Sequence, residues 1–161
     1  MSEGYNVFIS WSGPRSRSVA RALRDWLPML LHASKPWMSE TDTDKGTRWR
    51  DEVTRALDTM RAGIICLTPE NLGSQGLLFE AGALSKTREQ KTRIWTFLLG
   101  VEPEDLMDPL AMFQATRADK EDIRKLVHSI NKDLAAPVAD KLLDSLFDRL
   151  WPELEKQLGR L

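Results

Sequence analysis

Glu80 is the acidic residue whose surroundings least account for it. It stands in Gly76-Leu77-Leu78-Phe79-Glu80-Ala81-Gly82-Ala83-Leu84, with apolar or small side chains on both sides. A carboxylate in such company must pair, accept hydrogen bonds or meet a ligand. Gly82 and Ala83 leave room for close backbone approach. On residues alone, two readings of Glu80 stand: a solvent-facing or capping side chain, and a functional acid. A second polar group lies in Ser10-Trp11-Ser12-Gly13-Pro14-Arg15. Ser10 and Ser12 can donate to a ribose or diphosphate, and Arg15 or Arg17 can pair with phosphate. The alternative is turn chemistry and a solvated helix start. Trp11 and Trp49 adjoin loops and can stack on a planar ring, although Trp49 equally suits a core. Asp42, Asp44 and Arg48 fit a solvated loop.

Other chemistries are poorly supplied. The sequence contains no G-x-G-x-x-G fingerprint and no phosphate-binding P-loop. With only His32 and His128, a nucleophilic triad is not apparent. Those two histidines and the single cysteine, Cys66, make no metal set. Cys66 lies in an apolar run and reads as a small buried hydrophobe. A lone cysteine forms no internal disulfide, which fits a reducing compartment.

The elements that must position these residues follow from hydrophobic spacing. Tyr-Asn-Val-Phe-Ile-Ser over residues 5–10 is a β-prone run that ends in a turn at Trp11-Ser12-Gly13-Pro14. From Ser16 onward, Val19, Leu23, Trp26, Leu27, Leu30 and Leu31 recur at helical steps, and Pro28 predicts a kink or restart. Trp37-Met38 suggests a short second strand, followed by a polar loop from Ser39 to Gly46. Thr47 can cap a helix carrying Arg50, Val53, Leu57 and Met60. Residues 63–68 form the strongest strand, apolar on both faces as in a covered parallel sheet. A turn at 69–73, a helix over 74–86, a strand over 93–99 and an edge strand over 113–116 come next. Amphipathic helices over 119–134 and 138–158 complete the chain, and the apolar stripe of the last one needs a partner. Strands alternating with helices predict an α/β fold with a mainly parallel sheet and helices on both faces. In such sheets ligands bind at the carboxyl ends of the strands, where the loops at 10–15, 39–46 and 69–76 fall.

The 161 residues fit one domain, spanning 1–161. A hydrophobic share of 42% and a charged share of 29% are those of an ordinary globule. The net charge of −1 gives no support to a nucleic-acid or anionic-membrane partner. No basic-then-apolar leader and no run of about 18 apolar residues is seen, so a cytoplasmic protein without a membrane partner is expected.

In order along the chain, several segments resemble the TIR (Toll/interleukin-1 receptor) domains of bacterial proteins. Asn6-Val7-Phe8-Ile9-Ser10-Trp11-Ser12 resembles their first strand. The loop ending Asp44-Lys45-Gly46, followed by Trp49, resembles their BB loop. Ile64-Ile65-Cys66-Leu67-Thr68-Pro69-Glu70-Asn71 is similar to the third strand and its exit. Ser74 through Phe79-Glu80-Ala81-Gly82-Ala83 is similar to the helix that follows. The core motifs cover residues 5–99; beyond them the likeness is one of general outline.

The resemblance implies a flavodoxin-like TIR fold with a central, mainly parallel five-stranded sheet, and the helices over 119–158 packed on it. It implies cleavage of the nicotinamide–ribose bond of NAD, giving nicotinamide and ADP-ribose or a cyclic ADP-ribose signal, in anti-phage immunity. Glu80 matches the family's catalytic glutamate. Ser10, Trp11, Ser12, Arg15, Asp44 and Trp49 are the candidate substrate contacts. NAD is substrate, so no cofactor is called for. Self-association through the BB loop, and a separate sensor or effector protein, are the expected partners. One position departs from the pattern. Many relatives carry Trp four residues before the glutamate, where this chain has Gly76. A non-enzymatic TIR–TIR interaction module and a nucleoside deoxyribosyltransferase-like enzyme are the alternatives. A receiver domain fits poorly, because Ser10-Trp11-Ser12 replaces the acidic pair such domains need after the first strand.

Overall fold

The computed structural model describes residues 4–38, 60–73, 93–108 and 110–161. Five strands form one sheet: β1 (Tyr5–Ser10), β2 (Ser34–Met38), β3 (Ala62–Leu67), β4 (Arg93–Leu98) and β5 (Gln114–Arg117). Their order is β2-β1-β3-β4-β5, and every neighbouring pair is parallel. Three described helices accompany them: α1 (Pro14–Leu30), α2 (Lys120–Lys132) and α3 (Asp140–Gly159). The helices expected from Thr47 and over 74–86, and the loop at 39–46, lie outside the described residues.

Side-chain alternation divides the core into two layers. Val7 and Ile9 of β1, Ala62, Ile64 and Cys66 of β3, and Trp95 and Phe97 of β4 face α1, α2 and α3 in one cluster. Phe8, Ile65, Leu67, Ile94 and Leu98 face the other way, with Val101, Leu110 and Phe113. All six residues of β3 are buried, as expected of a central parallel strand covered on both sides. Cys66 is fully buried within this packing.

Two expectations change in detail. The second strand is longer than Trp37-Met38 because Lys35 and Pro36 also lie in it. β2 is at the sheet edge, where a missing N–H costs little. Pro28 does not restart a helix: α1 runs unbroken through it and ends at Leu30. So close to the carboxyl end the proline removes one late hydrogen bond, and the Leu31 N–H still closes on the Leu27 carbonyl at 2.9 Å.

α3 packs on the sheet-bearing body through Leu143, Phe147, Trp151, Leu154 and Leu158. The Trp26 indole of α1 donates to the Leu150 carbonyl at 3.0 Å. Its ring meets Phe147 edge-on at 5.8 Å, and Phe147 stacks on Trp151 at 5.8 Å. Arg124 of α2 reaches Asp144 at 3.0 Å and Asp148 at 2.8 Å, with its guanidinium over Phe147. Among the described residues no helix is long and apolar enough to cross a membrane.

Candidate functional site

The strand order reverses direction between β1 and β3, since β2 lies to one side of β1 and β3 to the other. Loops leaving two such strands diverge and open a crevice at their carboxyl ends. Here the crevice is bordered by the β1–α1 loop and the β3 exit. Gly13 supplies the first turn with φ 90°, a conformation that side chains disfavour. Pro14 then starts α1 where its missing N–H is no loss. The β3 exit turns through a short 3₁₀ segment, Pro69–Asn71.

A small hydrogen-bond network joins these two borders. Asn71 is buried and uses its whole amide. Its Oδ1 accepts the Thr68 N–H at 2.9 Å, while its Nδ2 donates to the Ser12 carbonyl at 2.9 Å and the Cys66 carbonyl at 3.2 Å. The Ser16 hydroxyl donates to the Cys66 carbonyl at 2.9 Å and accepts the Ser12 N–H at 3.2 Å. The loop backbone is therefore held from both sides of the crevice.

Arg15 and Glu70 close the network at the surface. Arg15 Nη1 donates to Glu70 Oε1 at 2.9 Å. The Glu70 carboxyl is held below the ordinary carboxylate range by hydrogen bonds from the Thr68 side chain and its own backbone N–H, and by Arg15. Both side chains are partly exposed, so this pair can exchange for another partner at small cost. Gly100, with φ 75° at the end of β4, lies under them. A Cβ there would sit 3.4 Å from the Pro69 ring and 3.7 Å from Arg15.

The remaining expected residues fall as follows. Ser10 ends β1 and is 1% exposed; its Oγ has no hydrogen-bond partner among the described residues. Thr96 Oγ1 is in the same condition, and both pair in register with Ile65 between them. The two hydroxyls thus lie in one row across β1, β3 and β4. Trp11 is 3% exposed and belongs to the core cluster, with the Arg17 guanidinium 5.3 Å from its ring. Stacking of a ligand on Trp11 would require that ring to leave the core. Ser12 contributes its backbone to the network described above. Glu80, Asp44 and Trp49, with Asp42, Arg48 and Gly76, lie outside the described residues.

Asn71, Ser16 and Thr96 were not singled out from sequence. Ser16 reads as an ordinary helix-start serine, and Thr96 as a strand residue. Asn71 carried a weak signal, being an asparagine just after a strand exit and Pro69, where such side chains bond local backbone.

Chemically, the crevice presents the amino end of α1 and Arg15 in its first turn, while the Ser10 and Thr96 hydroxyls stay buried beneath. The positive end of a helix and a guanidinium together suit an anionic group such as a diphosphate. Comparison with curated proteins finds no match. The sequence model of the TIR domain family matches residues 7–127, from β1 into α2. TIR domains include NAD-cleaving enzymes and signalling or interaction modules, and they commonly self-associate. With the all-parallel five-stranded sheet and a match over most of its length, this chain belongs to the TIR domain family.

Proposed function

We propose that residues 1–161 act as a single cytoplasmic TIR domain that cleaves the nicotinamide–ribose bond of NAD, with Glu80 as the catalytic carboxylate. The observation that carries this reading is the join between crevice and sequence motif. The β3 exit borders the crevice, and the chain runs from it directly into the segment that holds Glu80. Nicotinamide departure develops oxocarbenium character on the ribose. A carboxylate beside the ribose stabilises that charge and orients the sugar. The pyridinium leaving group departs as neutral nicotinamide, so no general acid is required. Arg15 is assigned to the diphosphate, exchanging Glu70 for it when substrate binds. ADP-ribose or a cyclic ADP-ribose is the product, and bacterial anti-phage defence the setting. Completion of the site by the 39–46 loop of a second copy makes activity rise more than linearly with concentration. A separate protein would then act as sensor or effector.

Gly76, where many relatives carry Trp, favours a second reading as a non-enzymatic interaction module. Chromatography of NAD incubated with the purified chain over a range of protein concentrations separates the two. Free nicotinamide supports cleavage; NAD intact at every concentration supports the module.

A further inference from the structure

The amino ends of the strands form the opposite end of the sheet from the crevice. A cavity of about 430 Å³ opens there, lined by Tyr5, His32, Lys35, Arg61 and Asp133 among others. That volume is within the usual range for small-molecule sites, about 300–1,000 Å³. Its walls are pinned by backbone hydrogen bonds. The Tyr5 N–H donates to the Ala33 carbonyl at 2.7 Å, the Arg61 N–H to Asn6 at 2.9 Å and the Arg93 N–H to Arg61 at 3.2 Å.

Among the described residues, the charge around this cavity is unbalanced. Lys35 lies across Gly4, where any Cβ would collide with its stem. The Arg61 guanidinium sits 5.5 Å from the Tyr5 ring centroid, and that of Arg93 5.4 Å from the Trp95 ring. Among the described residues, none of Lys35, Arg61 and Arg93 forms an ion pair. Asp133 is the one carboxylate among the described lining residues, and it accepts the Tyr5 hydroxyl at 2.7 Å. Burial, that hydrogen bond and the Asp133 charge hold the Tyr5 phenol protonated, so it stays a donor. Arg61 stands just before β3, and Arg93 starts the neighbouring β4. An anion seated in the cavity would meet the Lys35 and Arg61 cations together.

We propose that this cavity binds a small, phosphate-bearing anion of about diphosphate size, at a site separate from the crevice. Lys35 and Arg61 contact the phosphate, and His32 stands at the rim. Leu134 and the alanines after it form the apolar wall for the remainder of the ligand. The concave shape favours a soluble ligand over a lipid surface.

The test is calorimetric titration of the full chain with pyrophosphate at low ionic strength. In the Arg15→Ala background, which removes the crevice's diphosphate contact, one saturable site is expected, weakened at least about tenfold by adding Lys35→Gln or Arg61→Gln. Circular dichroism checks that each variant is folded, and Lys35→Gln, at an exposed position, suffices if Arg61→Gln is not. Three results would overturn the proposal: no saturable binding, binding unaltered in Lys35→Gln, or binding abolished by Arg15→Ala. Binding to phosphatidate vesicles without saturable pyrophosphate binding would assign the patch to a lipid surface and equally overturn it.

Discussion

Arg15 and Asn71 divide the work of the crevice between charge and shape. Arg15 has a carboxylate partner at 2.9 Å, yet both members of the pair are partly exposed. In such a pair the attraction is weak and screened, so a multiply charged ligand displaces Glu70 readily. Arg15→Ala is therefore expected to raise KM for NAD about tenfold while changing kcat little, as steady-state kinetics would show. An equal fall in kcat with KM unchanged would remove Arg15 from diphosphate binding. Asn71 has no charge to offer and is saturated by backbone partners. Asn71→Ala removes the acceptor of the Thr68 N–H and one donor from each of the Ser12 and Cys66 carbonyls, at a cost of about 1–3 kcal/mol. Asn71→Asp keeps the acceptor for Thr68 but sets a carboxylate against the Ser12 and Cys66 carbonyls. Denaturant unfolding should therefore find Asp at least as destabilising as Ala. The reverse order would mean that the two donated hydrogen bonds contribute little. Neither role was fully legible in the sequence. Arg15 was visible as a cation after a strand, whereas the saturation of Asn71 depends on carbonyls up to 59 positions away.

At the scale of elements, α2 and α3 are joined by a patch of charge over an aromatic core. His128 Nε2 lies 2.7 Å from Asp144, and Arg124 spans Asp144 and Asp148. The His128 hydrogen bond, then that of Arg124, hold the Asp144 carboxyl below its ordinary value. A folded-state value below the unfolded one contributes stability that is present above the unfolded value, about 3.9, and lost as pH falls through the folded value. Asp144→Asn should therefore lower Tm near pH 6, and the gap to the parent protein should close as pH falls below about 4. Added salt should narrow it as well, because the pair is partly exposed. A gap independent of pH in thermal scans would mean that packing, not charge, ties these helices. The helices themselves were readable from their apolar spacing. β2 was only half readable, because Lys35 and Pro36 break the apolar pattern that marked β1, β3 and β4. The unbroken run of α1 through Pro28 was missed for a related reason: spacing shows where a proline stands but not how near the helix end will fall.

The whole molecule places its two candidate sites at opposite ends of one parallel sheet. Alternating strand and helix patterns were enough to anticipate the α/β class and the parallel sheet. The order β2-β1-β3-β4-β5 is what turns those elements into a crevice, by separating the loops after β1 and β3. The family resemblance pointed to a flavodoxin-like five-stranded sheet, while periodicity alone is silent on which strands neighbour one another. The cavity at the amino ends was invisible beforehand, since Tyr5, Lys35, Arg61 and Asp133 are scattered along the chain and meet only after folding. The proposed chemistry needs one carboxylate and a positioned dinucleotide, so the substitution that removes charge while keeping shape is the sharpest probe. NAD consumption by the purified chain, followed by chromatography beside Glu80→Gln at matched and rising concentrations, is that measurement. The account predicts release of nicotinamide by the parent chain and a loss of at least about a hundredfold in the variant. Equal turnover by the two proteins, or intact NAD with both at every concentration, would contradict it.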